Sequence, residues 1–382
     1  MAADRATMIL GIDAFNISSG GGLTHLQQIL RGAQPSLSGF EKVVIWSSAA
    51  TLRQLPDKEW LQKRADPALD GGLLSRALWH RFKSRKLAVS EACDVVLCPG
   101  GTASSGFRPV VTMCRNMLPF EPDERASYGF SLKTLKLSLL RNTQLCSFRK
   151  ASGIVFLTEY ARDVIASLEP AIVEKTALIP HGISGDFFHD RTREKSSPDL
   201  VPTLIYVSIV SPYKHHANVV RALQEISDRG LSANLILVGP PDSASRELAS
   251  AISAFRSDQC SVKYLGAASR TALPAMLEAS DIGIFASSCE NMPNILLEKM
   301  ASGLPLACSN KGPMPEILGA AGVFFDPKDP ISIADALEIL LGDPELRKKL
   351  SLAAQERARR FTWEKTARST FDYLAEIAKH PH

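Results

Sequence analysis

The sequence lacks any segment that would carry the chain across or into a membrane. Nowhere do about eighteen apolar residues follow one another, and residues 1–11 have no basic start followed by a long apolar core. There is also no low-complexity tract and no repeat of roughly 20 to 50 residues. We therefore expect a cytoplasmic protein whose association with a membrane, if it has one, is peripheral.

Paired metal-ligating or redox motifs are missing as well. The seven cysteines form no Cys-x2-Cys pair and have no nearby paired histidines. An odd and scattered set of this kind predicts reduced, mostly buried thiols rather than disulfides or a zinc site. No Gly-x-Gly-x-x-Gly turn with a downstream acidic residue is present, which argues against an NAD-dependent dehydrogenase.

What the sequence does contain is an alternation of short apolar runs and longer helical segments. With 382 residues, 45% hydrophobic and 22% charged, the chain has ordinary globular composition and is long enough for two domains. The alternation predicts α/β domains with parallel sheets and crossover helices. The predicted strands are 8–12, 43–46, 95–98, 110–113, 154–157 and 177–179, then 203–207, 235–238, 262–265, 282–285, 306–308 and 323–325.

The polar segment 186–202 has no periodicity and is predicted to be a linker. We place the domains at 1–185 and 186–361, with residues 362–382 forming an amphipathic terminal helix that packs across both. In open α/β sheets, ligands bind at the carboxyl ends of the strands. Two such domains therefore predict a ligand-binding crevice between them.

The strongest motif begins at Glu290, directly after a predicted strand. Pro293 and Asn294 are suited to the start of a helix, whose free N–H groups and positive dipole end would bind a pyrophosphate. Glu290 then lies before the helix and Glu298 about one turn inside it, so the two carboxylates can reach different hydroxyls of one ligand. The alternatives are structural: Glu298 pairs with Lys299, and Asn294 caps the helix.

The stretch from Glu290 to Glu298 resembles the Glu-x7-Glu motif of the retaining glycosyltransferases of family 4, which have the GT-B fold of two facing Rossmann-like domains. The resemblance continues through residues 301–305, 312–317 and 321–326. Many relatives carry Gly-Phe-Gly where this chain has 291–293, a difference that bears on the identity of the sugar more than on the reaction.

This resemblance implies roles for individual residues. Glu298 is expected to hydrogen-bond the donor ribose and Glu290 to contact hydroxyls of the transferred sugar. The backbone groups of Asn294, Ile295 and Leu296 are expected to hold the diphosphate. No metal and no other cofactor is required for these roles.

A second motif follows the predicted strand 203–207, where Ser208 is succeeded by a turn and by Lys214. We assign Ser208 to the donor site, and Lys214 to the neutralisation of the departing diphosphate, because negative charge develops there. The family often has an arginine five residues before this lysine, where Ile209 stands here. The alternative for Lys214 is a solvated surface lysine.

In the first half of the chain, residues 19–25 form a glycine-rich turn after the first strand. Gly21 and Gly22 would let the backbone approach a ligand, with a helix starting at Leu23; a merely flexible turn is the alternative. By the resemblance, Asn116 stands where relatives place a polar residue against the donor sugar.

Four further residues carry weaker signals. Arg115, beside Asn116, is a candidate anion contact. His181 is interpreted as a turn residue before Gly182, and the adjacent His215 and His216 as unable to share a metal.

Together these features predict an α-retaining hexosyltransferase of bacterial polysaccharide, lipopolysaccharide or glycolipid assembly. A mannose-like donor such as GDP-mannose is our first expectation and a UDP-hexose the second, with a saccharide or lipid-linked acceptor. A non-hydrolysing nucleotide-sugar epimerase of the same fold and a non-catalytic nucleotide-sugar-binding protein remain alternatives. Nucleic acid is not an expected partner.

Residues 75–150 contain 13 Lys and Arg residues against 5 Asp and Glu residues. Within them, residues 76–86 combine basic side chains with Trp79, His80 and Phe82 in a predicted helix. This mixture fits either contact with an anionic membrane surface or a solvated helix face.

Overall fold

A computed structural model describes residues 7–103, 106–189 and 201–380 of the chain. These residues form two compact units. The N-terminal unit contains residues 7–120, 135–182 and 362–380, and the C-terminal unit contains residues 121–134, 183–189 and 201–361. Most of the predicted linker, residues 190–200, lies outside the described residues.

Each unit is built on one parallel β-sheet, and together the sheets give the α/β, GT-B class expected from the sequence. The N-terminal sheet has seven strands in the order β3-β2-β1-β4-β5-β6-β7, and the C-terminal sheet six in the order β10-β9-β8-β11-β12-β13. Helices on the sheet faces bury the central strands, whose residues are therefore mostly apolar. The strands are β1 Met8–Asp13, β2 Phe40–Ser47, β3 Leu61–Ala65, β4 Val95–Cys98, β5 Val110–Met113, β6 Gly153–Phe156, β7 Thr176–Leu178, β8 Thr203–Val207, β9 Asn234–Val238, β10 Ser261–Tyr264, β11 Ile282–Phe285, β12 Leu306–Ser309 and β13 Val323–Phe325.

The helices connect these strands as parallel crossovers require. They are α1 Gly20–Gly32, α2 Ala49–Leu52, α3 Pro67–Asp70, α4 Leu73–Phe82, α5 Ser84–Ser90, α6 Pro122–Ala126, α7 Leu132–Lys150, α8 Glu159–Leu168, α9 His216–Asp228, α10 Ser245–Ala254, α11 Leu273–Ala279, α12 Asn294–Ala301, α13 Met314–Leu318, α14 Pro330–Gly342, α15 Pro344–Ala358 and α16 Trp363–Lys379.

The last helix, α16, returns to the N-terminal unit. Thr362 caps it by accepting a hydrogen bond from the Lys365 N–H at 3.2 Å. On its inner face the buried Phe371 ring lies 6.0 Å from the ring of Phe40 in β2. The helix also packs along α1. Residues from both ends of the described chain therefore contribute to the core of this unit.

The predicted strands are confirmed, with ends that differ by no more than a few residues, but β3 was not predicted. Its sequence Leu-Gln-Lys-Arg-Ala is polar because β3 lies at the edge of the described sheet, paired with β2. Apolar runs in a sequence reflect burial, so an edge strand that is half exposed to solvent has no clear apolar run by which it could be predicted.

The side chains of the basic stretch 76–86 differ in exposure to solvent. Trp79 is buried at 2% exposure, and the His80 Nδ1 lies 2.9 Å from a carboxylate oxygen of buried Asp13. The His80 ring also stacks on Phe15 at 4.1 Å. Only part of this stretch, including Phe82, remains at the surface.

All seven cysteines are free, and five of them are buried. Among the described residues, no helix combines the length and the apolar character needed to span a bilayer.

Candidate functional site

The junction between β11 and α12 forms the centre of the candidate site in the C-terminal unit. Pro293 occupies the N-cap position and α12 begins at Asn294, whose side chain therefore does not cap the helix. The Leu296 N–H already donates to the Pro293 carbonyl at 3.1 Å. The amides of Asn294 and Ile295 have no partner among the described residues, as expected for the first turn of a helix. These two amides are the available donors for an anionic ligand.

Lys214 and Glu290, the latter just before α12, form a partly buried ion pair, although they are 76 positions apart in the chain. Lys214 ends a 3-10 turn, Pro212–Lys214, that follows β8. The Tyr206 hydroxyl donates to the Lys214 carbonyl at 2.7 Å and holds this turn in place. Because Lys214 is only 7% exposed, it is not a solvated surface lysine. The pair places a cation and a carboxylate at the same edge of the sheet.

Two hydrogen bonds fasten the loop after β11 to the turn after β8. The Ser288 N–H donates to the Tyr213 carbonyl at 2.9 Å. The His215 Nε2 lies 2.8 Å from the Ser288 hydroxyl, and His215 has a left-handed backbone with φ of 49°. The His216 ring instead packs against Tyr206, with centroids 4.6 Å apart and the ring planes tilted by 32°. The two histidines thus have separate neighbours, and the loops that carry Lys214 and Glu290 are held together.

Glu298 lies inside α12 and is 4% exposed. Its partner is Arg270, whose Nη2 lies 2.9 Å from Oε1, and not the neighbouring Lys299. Burial raises the pKa of the Glu298 carboxyl, and the guanidinium of Arg270 opposes this shift. Sequence reasoning missed Arg270, although a cation soon after the carboxyl end of a predicted strand is a detectable signal.

Lys299 points into the sheet and is fully buried. Its Nζ donates to the Ile284 carbonyl at 2.5 Å and lies 3.4 Å from the Ile205 carbonyl, so it joins the adjacent strands β8 and β11. The ammonium also lies 5.9 Å from the centre of the Phe285 ring, while the Lys214 ammonium lies 5.7 Å from the same ring. Burial lowers the pKa of Lys299 to about 7.

Ser208 follows β8 at the same sheet edge. Its N–H donates to the Val238 carbonyl at 2.8 Å. A Cβ on Gly239 would lie 1.8 Å from the Ser208 carbonyl oxygen, so only glycine permits this approach of the ends of β8 and β9. The close packing fixes the start of the loop that leads to Lys214.

Residues 121–134 pack on this unit and were not foreseen as part of it. Buried Glu124 in α6 pairs with Lys328 at 3.0 Å. Lys133 lies 3.9 Å from the Asp242 carboxylate, which also accepts a hydrogen bond of 2.5 Å from the Ser211 hydroxyl. The segment thereby contacts the loops near Lys214.

The remaining predicted residues belong to the N-terminal unit. Gly21 and Gly22 lie in the first turn of α1, which begins at Gly20 rather than at Leu23. Asn116 is exposed after β5, and its Oδ1 accepts a hydrogen bond from the Leu118 N–H at 3.1 Å. The C-terminal unit by itself brings together the other predicted residues, namely Ser208, Lys214, Glu290, Asn294, Ile295, Leu296 and Glu298.

His181 is not a simple turn residue. It is buried, with its Nδ1 2.9 Å from the Nδ1 of buried His25. Gly182 is required by close approach rather than by a left-handed bend, since an added Cβ would lie 2.2 Å from the Trp363 amide nitrogen.

Comparisons with known proteins agree with this fold. Residues 189–357 match the model of the family described as glycosyl transferases group 1. The D-inositol 3-phosphate glycosyltransferase of Corynebacterium diphtheriae is 27% identical over 228 residues, which cover 56% of this chain and 53% of that protein. The O-antigen chain mannosyltransferase B of Escherichia coli is 30% identical over 111 residues, or 29% of each chain. The chain spans about half the length of the first curated relatives that it matches.

Among solved structures, the sucrose-phosphate synthase (tll1590) from Thermosynechococcus elongatus superimposes with a TM-score of 0.74 at 16% identity. The match covers 95% of this chain and 97% of that one. The two parallel-sheet units thus define the GT-B class. Over residues 189–357 the chain is similar to the group 1 glycosyltransferases.

Proposed function

We propose that this protein is a retaining glycosyltransferase that moves a hexosyl group from a nucleotide-diphosphate sugar to a saccharide or lipid-linked acceptor. The partly buried Lys214–Glu290 pair, with Glu290 just before α12, carries the proposal. A departing nucleoside diphosphate gains negative charge as its bond to the sugar breaks, and a fixed cation in a water-poor site stabilises that charge. A glycoside hydrolase has no comparable use for such a cation.

In this proposal the amides of Asn294 and Ile295 bind diphosphate oxygens, because they are the unpartnered donors of the first turn of α12. Lys214 adds a full charge beside them. Glu290 receives hydroxyls of the transferred sugar, and Glu298 receives those of the donor ribose. The Arg270 partner keeps the Glu298 carboxylate oriented. Chemistry of this type depends on position and charge, and needs no protein nucleophile.

Gly21, Gly22 and Asn116 of the N-terminal unit stay proposed donor-site residues. The amide of Asn116 is the side chain that would contact the donor sugar. We retain a mannose-like donor as the first candidate and a UDP-hexose as the second. The mannosyltransferase name of one relative supports the first choice. Cell-surface polysaccharide, lipopolysaccharide or glycolipid synthesis is the proposed setting.

The test is a thermal-shift screen with GDP-, UDP-, ADP- and dTDP-sugars, followed by transfer assays with the donor that binds. We expect Lys214→Met to lower kcat about 100- to 1000-fold, as loss of one charge-stabilising group does elsewhere. Glu290→Gln should keep donor binding within a few fold and lose transfer. Lys349→Met, at an exposed position of α15, is the matched control.

The stereochemistry of transfer is read by proton NMR of the product. An α-configured product from an α-configured donor supports retention, whereas inversion contradicts it. Conversion of the donor alone, without acceptor, would identify an epimerase. Binding with no turnover by the unaltered protein would identify a non-catalytic nucleotide-sugar-binding protein.

We also propose a peripheral contact with anionic membrane, on the cytoplasmic side, through residues 75–150. Leu74, Leu78 and Phe82 recur every fourth residue on α4 and are 74%, 49% and 63% exposed, so they form one apolar stripe. Arg81 and Lys83, beside this stripe, are exposed cations. Interfacial helices bind membranes through this combination.

Vesicle sedimentation tests the contact. We expect the double variant Arg81→Glu with Lys83→Glu to bind vesicles rich in phosphatidylserine more weakly. Its affinity should fall by at most about tenfold for each charge that is changed. Neutral vesicles should bind the unaltered protein and the variant equally weakly. Equal binding of both proteins to anionic vesicles would refute this proposal and leave the transferase proposal untouched.

A further inference from the structure

The two central strands of the C-terminal sheet separate at their carboxyl ends. The pairing of β8 with β11 ends where Ile205 lies opposite Gly283, although the strands continue to Val207 and Phe285. On their other sides both strands stay paired to the end, β8 with β9 and β11 with β12. The strand order also reverses here, since β9 and β10 lie on one side and β12 and β13 on the other. In open α/β sheets such a reversal marks the ligand-binding crevice.

The amine of Lys299 lies where these strands separate. The side chain reaches this place from α12, and its Nζ donates to the Ile284 carbonyl of β11 and lies 3.4 Å from the Ile205 carbonyl of β8. One side chain thereby replaces hydrogen bonds that the two strands no longer exchange. The rings of Tyr206 and Phe285 flank the ammonium, with centres 5.4 and 5.9 Å from Nζ. Lys299 therefore fixes the spacing of the strand ends from which the two loops of the candidate site begin.

The surroundings of this amine disfavour its positive charge. Burial, together with the charge of Lys214, lowers the pKa of Lys299 to about 7. The Glu298 carboxylate opposes this shift, but its own partner is Arg270. Three further titratable groups around the amine are neutral at pH 7, because burial shifts each pKa toward the uncharged form: Tyr206, Cys308 and His216. At neutral pH, Lys299 is therefore protonated in only part of the molecules.

Lys214 connects this amine with the crevice. The two ammonium groups lie 5.7 and 5.9 Å from the centre of the same Phe285 ring. Although Lys214 is paired with Glu290, its charge still lowers the pKa of Lys299. A diphosphate bound beside Lys214 would bring several negative charges to this place. The repulsion between the two lysines would then be outweighed, and protonation of Lys299 would be favoured.

We propose that Lys299 is a positioning residue of the donor site, whose amine joins the ends of β8 and β11 and takes up a proton when a nucleoside diphosphate binds beside Lys214. The proton comes from solvent and stays on Nζ, so no bond of the ligand changes. The ammonium then holds both strand carbonyls more strongly, because a charged donor forms the stronger hydrogen bond. The place of the diphosphate rests on the proposed function, whereas the bridge between the strands does not.

Proton uptake is measured by isothermal titration of the full chain with UDP, GDP, ADP and dTDP at pH 7.5. Each titration is repeated in two buffers of different ionisation enthalpy, and the difference in heat gives the number of protons taken up per ligand. With a pKa of about 7, about one quarter of Lys299 is protonated before binding, so it can take up at most about three quarters of a proton. Lys299→Met removes the amine, and Lys349→Met, at an exposed position of α15, is the matched control.

We expect the unaltered protein and Lys349→Met to take up about a quarter to three quarters of a proton more per bound ligand than Lys299→Met. Protons exchanged by the ligand or by other side chains are common to the three proteins and cancel in this difference. The affinity of the unaltered protein should also fall between pH 7 and pH 9, by at most about tenfold per pH unit, because binding then requires a proton. The affinity of Lys299→Met should depend less on pH.

Equal proton counts in the unaltered protein and Lys299→Met would overturn the proposal. A variant that melts lower or binds more weakly by the same factor at every pH would show a purely structural lysine. If Lys299→Met fails to fold, Lys299→Arg takes its place, because an arginine stays charged throughout this pH range and should show the same loss of proton uptake. Binding with equal proton counts rejects this proposal alone. Absence of binding of all four nucleotides by the unaltered protein rejects the donor site and this proposal together.

Discussion

Replacement of Lys299 by methionine tests the energetics of the candidate site without any ligand. The side chain is fully buried, and its pKa falls to about 7 because burial disfavours the ammonium ion. In the unfolded chain a lysine has a pKa of about 10.4. Between these two values the unfolded state binds more protons than the folded state, so stability rises with pH. Methionine has a similar length and no charge to titrate.

The size of the effect follows from the two pKa values. From pH 7 to pH 9 the unfolded chain keeps its proton on Lys299 while the folded chain loses most of its own, which stabilises the folded state by about 2 kcal/mol. Below pH 7 the destabilisation by the buried ammonium is fully present. For a unit of this size, about 2 kcal/mol corresponds to a shift of about 4 to 8 °C in melting temperature.

Scanning calorimetry of both proteins at pH 7, 8 and 9 measures this effect. Thiols and other groups that titrate in the same range contribute equally to both proteins, so the difference between them isolates Lys299. We expect the unaltered protein to gain about 4 to 8 °C relative to Lys299→Met across this range. Lys349→Met, at an exposed position, should follow the unaltered protein. Parallel melting curves for the unaltered protein and Lys299→Met would refute the assignment of a depressed lysine pKa.

Three further outcomes are expected. Gly182→Ala should lower the melting temperature of the N-terminal unit by several degrees, because its Cβ would lie 2.2 Å from a backbone nitrogen. Gly342→Ala, which has open space around it, should leave the melting temperature unchanged. Equal melting temperatures for the two variants would contradict the close approach. The NMR signals of His181 should not shift between pH 5 and pH 8, since its pKa is about 3, and a midpoint near 6.5 would show that the ring is not shielded as described. Arg270→Gln should lower the free energy of unfolding by about 2 kcal/mol at pH 7. The loss should be smaller at pH 4, where protonation leaves Glu298 without a charge to pair. Equal losses of stability in thermal melts at both pH values would exclude the ion pair as the cause.

The central strands were predictable because burial on both faces leaves a plain apolar run. β8, β11 and β13 have the predicted bounds without change. The polar edge strand β3 lacks such a run and was missed. The start of α1 was placed three residues late, since three consecutive glycines are poor helix formers in isolation. The residue at which such a helix begins is determined by tertiary packing rather than by intrinsic helix propensity.

For the candidate site, the sequence indicated which residues carry the chemistry but not their partners. Glu290, Glu298 and Lys214 stand after strand ends, where parallel sheets place ligand-binding groups. Their pairing depends on which strands become neighbours, and nothing local shows that β8 lies beside β11. The interaction of Arg270 with Glu298 is of the same kind. The roles of all these residues in transfer stay predictions.

The return of α16 to the N-terminal unit has a consequence for synthesis on the ribosome. Domains usually fold in the order in which they emerge. Here the unit that emerges first lacks one of its core helices until Lys379 has left the exit tunnel, whereas all described strands of the other unit are already available by Phe325. The N-terminal unit is therefore expected to finish folding after the C-terminal unit, although its own strands are synthesised first.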